Sequence, residues 1–148
     1  MRWTEDQLAE YQGKRLPPGE AVVEFAPSPM VSIDLPFPPS VNRLWRNCSS
    51  DGAPRVYLSP KYQKWKREAD ALMVTQKRPE QIKGLFEAKI VVSAPSRGSR
   101  GDLDNRIKAV FDWAQRSSII KDDKNCERLT IEWGDTDHGC RLMLRALA

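Results

Sequence analysis

Apolar and polar residues alternate along Val31-Ser32-Ile33-Asp34-Leu35, and this period of two predicts a strand that Pro36, Pro38 and Pro39 bring to a stop. A loop carrying Asn42, Arg43, Trp45 and Arg46 is expected next, and then a short strand at Arg55-Val56-Tyr57-Leu58. Ser59-Pro60 predicts a helix start, with Ser as N-cap and Pro at the first helical position. Tyr62, Trp65, Ala69, Leu72 and Met73 recur at helical spacing, so this helix buries one face, while Lys61, Lys64, Arg67 and Lys77 lie largely elsewhere on it as a solvated face. Leu85 to Val92 predicts another strand, with Ala88, Ile90 and Val92 sharing a side. The run from Pro95 to Gly101 is small, polar and basic, hence a mobile loop. A second helix has the apolar stripe Leu103, Ile107, Val110, Phe111 and Ala114 and is expected to end near Ser117, with Ile119-Ile120 returning the chain to the core. Arg128 to Trp133 and Cys140 to Leu147 alternate again and are expected to form a hairpin around Gly134 to Gly139.

Residues 1–29 read as a separate N-terminal arm: a short helix capped by Thr4 and Gln7 and running to about Gln12, then an extended Pro-rich segment. Residues 30–148 form the expected domain. Its fold class is α+β, a small mixed or antiparallel sheet with two helices packed on it.

Composition narrows the function classes. With 148 residues and 40% hydrophobic positions the chain can fill one modest core. Lys and Arg outnumber Asp and Glu by 24 to 20, and several acids look reserved for one site, so the remaining surface favours an anionic partner. Three cysteines without C-x-x-C spacing, and a lone His138, make a zinc site or disulfide framework a poor reading and fit a reduced cytosol. No stretch reaches the roughly 20 apolar residues of a membrane span. The expected location is therefore cytoplasmic, with no membrane partner.

The chemistry concentrates in Asp102-Leu103-Asp104-Asn105, followed by Lys108, Asp112 and the adjacent Asp122-Asp123. Crowded carboxylates repel unless a cation neutralises them, and hard divalent ions such as Mg²⁺ take oxygen ligands. Asp102 and Asp104 cannot both project from one regular helix toward one ion, so Asp102 is expected before the helix and Asp104 in its first turn. On the polar side of that helix Asp104, Lys108 and Asp112 fall close together, and the return after Ser117 could carry Asp123 back to the pair. Taken singly these features have ordinary explanations: a capping Asp, a surface ion-pair ladder, an Asp-Asp turn. Jointly, behind an arginine-bearing loop, they favour phosphodiester chemistry, with Arg97 and Arg100 on backbone phosphates. Asp135-Thr136-Asp137 repeats the spacing but reads as a turn.

The run Arg100 to Asn105, with Lys108, Asp112 and Asp122-Asp123 downstream, resembles the signature of the RusA family of Holliday-junction resolvases, and Leu35 to Arg46 resembles that family's proline-rich strand and Asn-Arg loop. The resemblance implies a RusA-like homodimer that binds branched DNA and nicks two opposing strands of a four-way junction, using Mg²⁺ with Mn²⁺ as a possible substitute. Carried over by position, it implies Asp102, Asp104 and Asp123 as metal-binding carboxylates, Lys108 as the essential cation beside them, and Arg43 and Arg46 as a basic DNA-binding loop. The chain departs from the family pattern in its N-terminal arm and in the Gly and Ser residues that interrupt the arginines before Asp102. Two other readings stay open: a branched-DNA-binding module without catalysis, and a D-x-D phosphatase or phosphotransferase.

Overall fold

The computed structural model describes residues 29–43, 45–48 and 55–147. The arm expected over 1–29, with its helix from Thr4 to about Gln12, lies outside the described residues apart from Pro29.

Strand β1 (Val31–Leu35) leads through a 3-10 turn (Val41–Arg43) to a two-stranded antiparallel sheet of β2 (Trp45–Cys48) and β3 (Arg55–Leu58). Trp45 and Arg46 thus belong to a strand, not to the expected loop. Helix α1 (Pro60–Val74) begins as the sequence predicts: Ser59 is extended and its hydroxyl accepts the Tyr62 amide at 3.2 Å. Tyr62, Trp65, Ala69 and Met73 form its buried face. Strand β4 (Phe86–Val92) follows, and helix α2 (Ile107–Arg116) is entered through a 3-10 turn (Asp104–Arg106). A further 3-10 turn (Asp123–Asn125) leads into β5 (Cys126–Trp133), and β6 (Cys140–Ala146) completes the chain.

The main sheet has the order β1-β6-β4-β5, with β4 and β5 parallel and the other neighbours antiparallel. The expected hairpin of the last two strands does not form. β6 lies on the far side of β4 from β5, and the intervening loop passes over the end of β4, where Gly134 N–H donates to the Val92 carbonyl at 3.0 Å and Ser93 N–H to that of Gly139 at 2.8 Å. Strands lie about 4.8 Å apart, so a loop of this length straddles one strand with ease. Straddling β4 places β6, whose Cys140, Leu142 and Leu144 are wholly buried, in the sheet interior.

Phe86, Ala88, Ile90 and Val92 on β4 join Ile33 and Leu35, the inward residues of β6 and the inner faces of both helices in one core. Trp113 of α2 is its largest fully buried side chain, and Phe86 meets Phe111 edge to face at 6.2 Å. The helices are tied by Asp70, which accepts from Trp113 Nε1 at 2.9 Å and from Arg116 at 3.2 Å. Along the sheet's margin at β1, the Gln76 amide group receives the Asp34 N–H at 2.7 Å and donates to the Asp34 carbonyl at 2.8 Å.

Candidate active site

Asp104 opens the turn that feeds α2 and Asp102 stands just before it, the division that side-chain geometry requires of carboxylates two positions apart. Both are exposed, and Asn105 Nδ2 reaches Asp102 Oδ2 at 3.4 Å. Asp102 and Asn105 line a polar cleft of about 520 Å³ with Ser40, Asn42, Lys61 and Gly98. Lys61, expected on a solvated helix face, is therefore a wall of this cleft.

Lys108 lies one turn beyond Asp104 and donates to Asp112 Oδ1 at 2.7 Å. That hydrogen bond outweighs the opposing effect of burial and, together with the charges of Asp112 and Asp123, holds its ammonium above its ordinary pKa. Asp123 has thus returned within electrostatic reach of the helix, and Gln115 Oε1 of α2 accepts its backbone N–H at 3.1 Å. Its neighbour Asp122 has a different task. Its carboxylate accepts the Lys124 N–H at 3.1 Å and pairs with the Lys124 ammonium at 3.2 Å, contacts that cap the turn and hold its pKa low.

The oxygen donors suit a hard cation. Among the described residues, no three His, Cys, Asp or Glu side chains are grouped to hold a metal ion. Asp102 and Asp104 stand at the entry to α2, and Asp123 lies after that helix, where Gln115 holds its backbone.

The loop from Pro95 to Gly101, expected to be mobile, contains a 3-10 turn (Arg97–Ser99) closed by a reciprocal Ser96 and Ser99 capping box. Arg97 and Arg100 line a crevice of about 350 Å³ at the ends of β4 and β5, together with Ser93, Gly134 and Asp135. The Arg100 guanidinium sits 5.0 Å from the Trp133 ring centre, a cation-π contact that holds it beside the sheet. Of Arg43 and Arg46 the backbone is described, in the first 3-10 turn and in β2; their side chains lie outside the described residues, as does that of Trp45.

Sequence reasoning missed Arg106. It is 8% exposed and reaches the backbone of two separate segments. A signal was present: position 106 is three after Leu103 and four before Val110, so an arginine occupies the apolar stripe.

Fold and site together define a small α+β protein whose acidic site is framed by arginines, an arrangement suited to a polyanionic substrate. The chain belongs to the RusA endodeoxyribonuclease family, whose model, described as Endodeoxyribonuclease RusA, matches residues 36–145. It is also similar to the crossover junction endodeoxyribonuclease rusA of Enterobacteria phage HK97, with 28% identity over 111 residues covering 75% of this chain and 88% of the relative.

Proposed function

We propose that this protein is a structure-selective endodeoxyribonuclease that resolves four-way DNA junctions by paired, symmetric nicks, in DNA recombination and repair. The observation that carries this reading is the Asp102 and Asp104 pair at the entry to α2, directly behind a loop whose arginines line the adjacent crevice, in a chain of the RusA family. A homodimer follows from the substrate: a four-way junction has approximate two-fold symmetry, and an isologous pair offers equivalent sites to equivalent strands. The compartment is the cytoplasm of a bacterium or of a phage-infected host.

Arg97 and Arg100 hold backbone phosphates, for which the guanidinium fork is matched, and Arg43 and Arg46 extend the contact. Lys108 offsets negative charge growing on the phosphoryl oxygens. Asp102, Asp104 and Asp123 are the carboxylates on which cleavage depends. Mg²⁺, replaceable by Mn²⁺, is the ion such donors would take up, and a bound ion would supply an activated water and a polarised phosphate.

A second reading, a branched-DNA-binding module without catalysis, draws on the lack of a three-carboxylate group among the described residues. The phosphatase alternative is disfavoured because its acidic pair closes a strand, whereas here the pair opens a helix. The deciding experiment incubates the full chain with a labelled four-way junction and a linear duplex, each with Mg²⁺ or EDTA. Junction-selective nicking in Mg²⁺ alone is expected. Equal cleavage of both DNAs defeats the resolvase reading, and tight junction binding without cleavage establishes the second.

A further inference from the structure

Burying a guanidinium is costly unless its donors are matched by acceptors. Arg106 Nη1 donates to the Pro38 carbonyl at 2.8 Å and Nη2 to the Arg100 carbonyl at 3.0 Å, with the Ser99 carbonyl at 3.4 Å. The group also lies over the Phe37 ring at 4.6 Å. Gly101 adopts φ +59°, and a Cβ added there would stand 3.0 Å from Arg106 Nη2, so the backbone just before Asp102 runs directly against the guanidinium. One side chain thus fastens the proline-rich segment after β1 to the segment that delivers Asp102, the two walls of the 520 Å³ cleft.

We propose that Arg106 is a positioning residue that holds the Ser99 to Gly101 backbone against Pro38 and so fixes where Asp102 stands in the cleft. This role rests on the nucleolytic reading above, because it assigns Arg106 to cleavage without contact to DNA. Only arginine serves: it presents a rigid fork of donors to carbonyls on separate segments and a flat face to Phe37, whereas lysine offers a single ammonium. A displacement of Asp102 of the order of 1 Å is enough to cost about 100-fold in rate.

The test compares Arg106→Lys, Arg106→Leu and wild type as full chains. Single-turnover cleavage of a four-way junction at saturating protein is expected to fall about 100-fold in Arg106→Leu, with little recovery in Arg106→Lys. Junction affinity in EDTA is expected to stay within about threefold, a change too small to reflect a lost direct phosphate contact. Tryptic cleavage after Arg97 and Arg100 is expected to quicken about tenfold, since the loop loses its anchoring hydrogen bonds. Rate and affinity falling by the same factor would reassign Arg106 as a DNA contact, and an unchanged rate or an unchanged tryptic pattern would overturn the proposal. Should both variants fail to fold, Phe37→Leu removes only the ring beneath the guanidinium; it is expected to show the same split with a smaller rate loss, and a wild-type rate in that variant would count against the clasp. Failure of wild type to cut junctions would sink the nuclease reading separately, while the tryptic comparison would still report on the loop.

Discussion

Replacing Lys108 by methionine separates the electrostatic role of this side chain from its structural one. The ammonium lies 2.7 Å from Asp112, but the two side chains are 52% and 32% exposed, and an i,i+4 pair in that setting contributes only about 0.3–0.5 kcal/mol. Methionine matches lysine closely in helix propensity and length. Unfolding free energy should therefore change by less than about 1 kcal/mol, and the melting temperature by no more than about 4 °C for a domain of this size. A cation that offsets charge on the phosphoryl oxygens has a far larger effect in the transition state, about 100- to 1,000-fold in rate. Thermal melting by circular dichroism and single-turnover junction cleavage measure the two quantities on the same preparation. A rate within threefold of wild type, or a melting temperature lowered so far that unfolding accounts for the lost activity, would refute the reasoning. The pH dependence is a second check. The partners of Lys108 raise its pKa above the ordinary 10.5, so its charge and its ion-pair contribution are fully present below that value and are lost only as pH rises through the raised one. Titration of Lys108 should accordingly place no falling limb on the rate between about pH 6 and 9.

Arg100→Ala should weaken junction binding and reduce the slope of log affinity against log salt by about one, and an unchanged slope would strike Arg100 from the phosphate contacts. Gly139→Ala should destabilise the fold by about 2–4 kcal/mol in urea unfolding, because φ is +106° and an added Cβ would lie 2.6 Å from the Phe37 backbone nitrogen; a loss below about 0.5 kcal/mol would show that the turn relaxes freely. Burial, aided by the charge of Asp34, pushes the Cys140 thiol up to about 12. Because the unfolded chain releases this proton first, stability should fall above about pH 9 by some 1.4 kcal/mol per pH unit more in wild type than in Cys140→Ala, and parallel pH profiles for the two would contradict that linkage.

Local pattern made β1, β4 and α1 legible: the period-two alternation, the Ser59-Pro60 start and the apolar helical face need only neighbouring residues to be read. The division of Asp102 from Asp104 was legible for the same reason, since side-chain direction follows from helix geometry alone. What stayed hidden depends on pairing between distant segments. The alternation of β6 says which residues face inward, but not that β1 and β4 flank it, and the loop after β5 is compatible both with a hairpin and with a crossing. β2 carries Trp45-Arg46-Asn47-Cys48, which has no clean alternation and becomes a strand through β3. Arg106 looked like one more basic residue because its acceptor on Pro38 lies 68 positions away. The carboxylates drew attention by their spacing, but where Asp123 comes to lie depends on the turn at Asp123–Asn125, which Asp122 shapes by capping.

The amide group of Gln76 has a consequence beyond the pair of bonds it makes. An outermost strand ordinarily exposes a row of backbone groups on which a foreign strand can polymerise. At Asp34 both of those groups are already occupied by a side chain that imitates an incoming peptide, and at the opposite margin Glu127, Arg128 and Glu132 confront any newcomer with charge. Among the described residues the two flanks are defended by unrelated means, mimicry on one and repulsion on the other, and both outer strands are thereby guarded against runaway stacking.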